Sequence, residues 1–175
     1  ISPEEALKLI EIIPKNINKV GVFVDEKIDK VQNISNRLNL DFIQLHGNEN
    51  QDYINQFNIP IIKAFRINPE FNFTTLNEFS VHSFLLDTYQ PGIFGGTGES
   101  FNWDLLNKIE TETPIILSGG LNPQNMKEAI KIKNVNAWDI NSGVEKCPGE
   151  KDENKLMKLF SNLNIKIENN IFNEI

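Results

Sequence analysis

Pro114-Ile115-Ile116-Leu117-Ser118-Gly119-Gly120-Leu121-Asn122-Pro123 joins an apolar, β-branched run to a double-glycine turn and an Asn-Pro helix start. The helix it opens spans Gln124–Lys131. The pattern recurs at once: Ala137-Trp138-Asp139-Ile140-Asn141-Ser142-Gly143 is a strand and glycine turn, followed by the helix Asp152–Leu163. Working upstream, Ser83-Phe84-Leu85-Leu86-Asp87 is a strand ending in a carboxylate. The Gly-rich loop Pro91 to Gly98 then leads to the helix Trp103–Ile109. Pro60–Phe65 is a strand with a short helical piece around Thr75–Phe79, and Phe42–Gly47 is a strand with a helix over Glu49–Phe57. Val20–Val24 is a strand before a helix marked by Ile28, Val31, Ile34 and Leu38. A first helix opens on Ser2-Pro3-Glu4-Glu5, with a hydroxyl at the cap, Pro at the first turn and Glu three residues on.

Six strand–helix units in series imply an α/β fold with a parallel sheet and external helices. An open doubly wound sheet and part of a (β/α)8 barrel both satisfy this order. No strand-to-helix turn carries G-x-G-x-x-G or G-x-x-x-x-G-K-[ST], which weighs against dinucleotides and nucleoside triphosphates. The polar and glycine-rich residues gather after the strands, where a barrel keeps its active site.

At 175 residues, and roughly 100–200 per domain, the chain is expected to be one domain, with 165–175 a weakly patterned tail. Its 39% hydrophobic and 23% charged residues are ordinary for a globular protein. A net charge of −7 argues against a nucleic-acid partner. No run approaches the ~18 apolar residues of a membrane span, and the first residues lack the basic start and apolar stretch of a secretory leader. Cytoplasmic residence is the expectation. A single cysteine excludes an internal disulfide framework and any all-cysteine metal site. The sequence opens on Ile1 immediately before a helix start, which suggests a fragment of a longer chain.

The two final turns supply the first candidate site. Glycines at 119, 120 and 143 let main-chain N–H groups approach an anion, and the helices expected after them add favourable dipoles. In a barrel the loops after strands seven and eight are the usual phosphate seat. With only two arginines, Arg37 and Arg66, main-chain donors would hold most of that charge. Asp87 closes an apolar strand, where partial desolvation favours its protonated form and suits a general acid. Asp25 and Asp139 also sit at strand ends, Asp139 just before a phosphate turn. His46 is placed to face the barrel mouth, although a lone histidine is commonly a structural hydrogen-bonding residue. No partner stands at metal-ligand spacing from it, so no metal is expected. Cys147, in Glu145-Lys146-Cys147-Pro148-Gly149, belongs to a loop before the last helix, remote from any strand mouth.

Taken in order, Val20-Gly21-Val22-Phe23-Val24, Gln44-Leu45-His46-Gly47, Lys63-Ala64-Phe65, Leu86-Asp87, Gly95-Gly96-Thr97-Gly98, Leu117–Pro123 and Asp139–Glu145, with Pro148-Gly149 and Lys151-Asp152, form a specific set. The set resembles the phosphoribosylanthranilate isomerases of tryptophan biosynthesis, from Ser2 to about Leu163. The resemblance implies a (β/α)8 barrel of which these six units would be strands three to eight. It implies an Amadori rearrangement of N-(5-phosphoribosyl)anthranilate to 1-(2-carboxyphenylamino)-1-deoxyribulose 5-phosphate, with no cofactor because the substrate's own iminium is the electron sink. By position, Asp87 matches the general acid, and Gly119, Gly120, Ser142 and Gly143 match the phosphate turns. Thr97 and Gly98 match a loop over the substrate. His46 is a further substrate-proximal candidate, as is Arg66 for the anthranilate carboxylate.

The family also opens with a Lys-x-Cys-Gly strand whose Cys is the general base, and that segment does not occur here. On this reading the chain as given lacks its base and would be inactive, and its sheet would have open edges along Val20–Val24 and Ala137–Ile140. Alternatives are an inactive phosphate-binding fragment or another phosphosugar barrel enzyme. An indole-glycerol-phosphate synthase would place a catalytic Lys and Glu at strand ends, whereas Lys63 lies within an apolar strand. A ribulose-phosphate epimerase would need more metal-ligating residues than two histidines allow.

Overall fold

The computed structural model describes residues 1–87 and 103–163. Thr97, Gly98 and the tail 165–175 lie outside the described residues.

Six parallel strands, β1 (Val20–Phe23), β2 (Phe42–Leu45), β3 (Ile61–Arg66), β4 (Ser83–Asp87), β5 (Ile115–Ser118) and β6 (Ala137–Trp138), pair in strict chain order. That order belongs to a curled, barrel-type sheet and excludes the strand reversal of a doubly wound one. The register sets side-chain direction. Arg66 pairs with Asp87, and Asp87 with Ser118, so these three end neighbouring strands in one row.

Alternation along each strand divides the core into two faces. Ile43, Leu45 and Ile61 pack on Val31 of α2 (Ile28–Leu38) and Ile54 of α3 (Gln51–Ile54), on the helix side. Phe84, Leu86, Leu117 and Leu121 continue that layer with Met126 and Ala129 of α4 (Met126–Ala129) and Leu159 of α5 (Glu153–Asn162). The concave side holds a smaller cluster drawn from strands alone: Ile62, Ala64 and Leu85, with Phe42 and Ile116 against it. Arg66, Asp87 and Ser118 follow those residues two positions on and therefore face the same concave side.

The first helix, α1 (Pro3–Ile12), forms for local reasons. Ser2 and Glu5 make the reciprocal capping box, at 3.2 and 2.9 Å. It buries none of its residues and is tied to α2 by Arg37 on Glu4 at 2.7 Å.

Several boundaries differ from the sequence expectation. The helix expected over 49–57 is a single turn, α3, because Asn50 caps it and Glu49 is drawn into a buried ion pair. The helices expected near 75–79 and 103–109 are 3-10 segments, Phe73–Glu78 and Trp103–Lys108, the tighter winding common in short connectors. The helix over 124–131 contracts to α4. Residues 145–151, expected as loop, form an antiparallel hairpin of β7 (Glu145–Cys147) and β8 (Glu150–Lys151) around Gly149, whose φ is +84°. Among the described residues no helix is long and apolar enough to cross a membrane.

Candidate functional site

The strand ends converge. Asp87 closes β4 with its side chain 18% exposed, and His46, immediately after β2, brings Nε2 to 3.4 Å from the Asp87 Oδ2. The His46 N–H donates to the Phe23 carbonyl at 2.8 Å, which fixes the histidine against the end of β1. His46 is therefore not an isolated residue, and its partner is the carboxylate that sequence alone had placed in a separate role. Ser118 ends β5 and donates its hydroxyl to Asp139 at 3.3 Å. Burial pushes the Asp139 carboxyl above the ordinary aspartate range; the Ser118 hydrogen bond opposes this and the nearby Asp87 adds to it. Arg66 stands exposed in the same row as Asp87.

The two glycine turns touch each other. A Cβ on Gly143 would lie 1.9 Å from the Leu121 carbonyl oxygen, so only glycine lets the second turn nest against the first. Gly119 and Gly120 have φ of +88° and +65°, which turns the chain sharply after β5. Both turns lie at the same end of the sheet as Asp87, because Ser118 is its register partner.

The helix contribution differs from expectation. Asn122 Oδ1 already accepts from the N–H groups of Gln124 and Asn125, at 2.9 and 3.2 Å, so the turn ahead of the four-residue α4 uses its donors locally. Ser142-Gly143-Val144 forms a three-residue 3-10 turn running into the β7–β8 hairpin, with no α-helix directly behind it. No hydrogen bond within the described residues engages the N–H of Gly120, Ser142 or Gly143. These turn amides are the anion donors the geometry offers.

Beside Asp87 lies a cleft of about 460 Å³ lined by Asp25, His46, Phe65, Arg66, Phe71 and Thr75. Under it, Lys63 and Glu49 form an ion pair at 2.8 Å with both side chains 2% exposed. Sequence reasoning missed Glu49 as a site-adjacent residue. The available signal was Lys63 itself, since a lysine inside an apolar strand run needs a buried partner. Cys147 is exposed on the hairpin, its thiol donating to Glu150, and that carboxylate, with the Glu145 charge adding to it, holds the thiol above its ordinary range. Among the described residues, no three His, Cys, Asp or Glu side chains are grouped as metal ligands.

Comparison with known proteins matches residues 1–162 to the family described as N-(5'-phosphoribosyl)anthranilate (PRA) isomerase. A relative named N-(5'-phosphoribosyl)anthranilate isomerase, from Thermoanaerobacter sp. (strain X514), is 46% identical over 157 residues, which are 89% of this chain and 77% of the relative. The crystal structure of phosphoribosyl anthranilate isomerase from Thermotoga maritima superposes with a TM-score of 0.81 at 35% identity, over 94% of this chain and 81% of that one. A further isomerase structure, solved with reduced 1-(o-carboxyphenylamino)-1-deoxyribulose 5-phosphate, is 32% identical with a TM-score of 0.77, over 94% and 80% of the two chains.

Proposed function

The chain belongs to the N-(5'-phosphoribosyl)anthranilate isomerase family, and from that premise we propose how its own residues carry the isomerisation in tryptophan biosynthesis. The substrate is a small phosphoribosyl compound. Its phosphate sits on the amides of Gly120, Ser142 and Gly143, with Gly119 shaping the turn. Main-chain donors suit this task because they are aimed by the backbone and cost little reorganisation when the dianion arrives.

Asp87 is the general acid. Protonating the ribofuranose ring oxygen lets the C1–O bond break, and the anilino nitrogen lone pair forms the C1 iminium. Loss of the C2 proton to a base then gives the enolamine, and protonation at C1 as the C2 hydroxyl loses its proton yields the ketose. Cys147, on the hairpin, does not supply that base. The exposed Arg66 guanidinium, next to Asp87 in the strand row, pairs with the anthranilate carboxylate. Thr97 and Gly98 are assigned to cover the substrate by resemblance alone.

The observation that carries this reading is the placing of Asp87 in register with Ser118, one residue before the glycine turn. In a chain carrying the family's Lys-x-Cys-Gly strand ahead of Ile1, Asp87→Asn should lower turnover of phosphoribosylanthranilate about 10²–10⁴-fold, the usual scale for a positioned acid. Calorimetric affinity for the reduced product analogue should be nearly unchanged. Full turnover in this variant, or no analogue binding by the unmodified chain, overturns the assignment.

A further inference from the structure

The buried pair under the cleft has a role beyond filling space. Lys63 Nζ donates to the Gly47 carbonyl at 2.7 Å as well as to Glu49 at 2.8 Å. Glu49 Oε2 accepts from the Gly47 N–H at 3.0 Å, and its Oε1 accepts from the Asp25 N–H at 2.8 Å. Both polar groups of Gly47 are thus held by one ion pair, and the end of β1 is tied to the same hub. Gly47 cannot be enlarged, since a Cβ there would lie 2.3 Å from the Asp25 carboxylate.

The consequence falls on His46. The Gly47 N–H belongs to the peptide plane that carries the His46 carbonyl, so fixing that plane fixes the histidine's ψ. On the other side the His46 N–H is already held by the Phe23 carbonyl. The imidazole therefore leaves a clamped backbone toward Asp87, at 3.4 Å. A buried ion pair is poor evidence of net stabilisation, because desolvation offsets most of its attraction; fixing one arrangement is the better-attested use.

We propose that Lys63 and Glu49 are positioning residues that act through Gly47 to hold the His46 imidazole on Asp87, the group that delivers the first proton. This rests on the assignment of Asp87 above. The Asp87 oxygen facing Nε2 is Oδ2, which can accept an Nε2–H while Oδ1 carries the acid's proton, and long-range ¹⁵N–¹H NMR reads the tautomer directly. The chain has only two histidines, and His82, just before the start of β4 at the opposite end of the sheet, is an internal control.

In the unmodified chain His46 should show the Nε2–H tautomer. Lys63→Met and Glu49→Gln should each shift the His46 signals and mix its tautomers while leaving His82 unmoved. Lys63→Arg, which keeps charge and donors, should restore the parent pattern in part. Should either single variant fail to fold, Lys63→Met combined with Glu49→Gln leaves no unpaired buried charge and serves in its place. Leu106→Ala, in the helix-side core, is the control for stability loss alone and should leave the His46 signals in place. Unchanged His46 signals in the pair variants, or shifts equal to those of Leu106→Ala, overturn the proposal. The NMR measurement needs no turnover, so it can fail independently of the Asp87→Asn test.

Discussion

Asp139 is the residue whose environment makes the plainest demand on solution behaviour. Burial raises its carboxyl, with the Asp87 charge adding to the effect, while the Ser118 hydroxyl, His46 and Lys151 pull the other way. A carboxyl raised on folding binds its proton more tightly in the folded state than in the unfolded one. Stability therefore falls as pH climbs from the ordinary aspartate range through the raised value, and the penalty persists above it. Asp139→Asn removes the charge and keeps an oxygen for the Ser118 hydroxyl to donate to. Its melting temperature should exceed the parent's at neutral pH, and the gap should close as pH falls below the ordinary aspartate range. A gap that stays constant in melts across that window refutes the burial argument. The same residue shows what sequence could not give: its strand-end position was legible, but the distance to Asp87 depends on register and curl. His46 is parallel, because nothing local in Gln44-Leu45-His46-Gly47 names a carboxylate from β4.

Among the elements, the strands were legible because apolar β-branched runs such as Ile115-Ile116-Leu117 have few alternatives, and the glycine turns were legible because they sit at their ends. The shorter helical pieces were less so. Phe73–Glu78 and Trp103–Lys108 hold only six residues each, too few for periodicity to separate α from 3-10 winding. The β7–β8 hairpin was hidden because Glu145-Lys146-Cys147 and Glu150-Lys151 contain no β-branched residue; the Pro148-Gly149 turn was the only sign. That hairpin matters because it follows the Gly143 turn, which the Leu121 carbonyl confines. Gly143→Ala must push the two glycine turns apart and should raise the Kd for the reduced product analogue by about tenfold or more, a loss of about 1.4 kcal/mol. Gly120→Ala meets open space and bears only the cost of its positive φ, roughly 1–2 kcal/mol of folding stability. Calorimetric titration with the analogue and melting on the two variants separate the effects. Equal Kd values would mean the contact between the turns does not shape the seat.

At the scale of the molecule, the apolar surface of the described residues is unevenly distributed. Among them, most of the exposed large hydrophobics lie within the first 24 residues, including Leu9, Ile12, Ile17, Val20, Val22 and Val24. The valines alternate with Gly21 and Phe23 along β1; Phe23 packs on the helix side, so they face the concave side. Farther along the sheet that side is closed by Ala64 and Leu85, at 4% and 1% exposure, whereas Val22 is 57% exposed. Among the described residues β1 has a neighbour on one side only. An open parallel edge beside exposed valines is a template for pairing with another chain, and charge on such an edge is the usual deterrent. Val22→Lys should therefore lower light scattering by the concentrated chain, and it should alter stability by no more than about 0.5 kcal/mol, as at an ordinary surface position. A loss of about 3–5 kcal/mol in chemical denaturation, the scale of leaving a charge buried and unpaired, would show instead that the valine face is covered in solution.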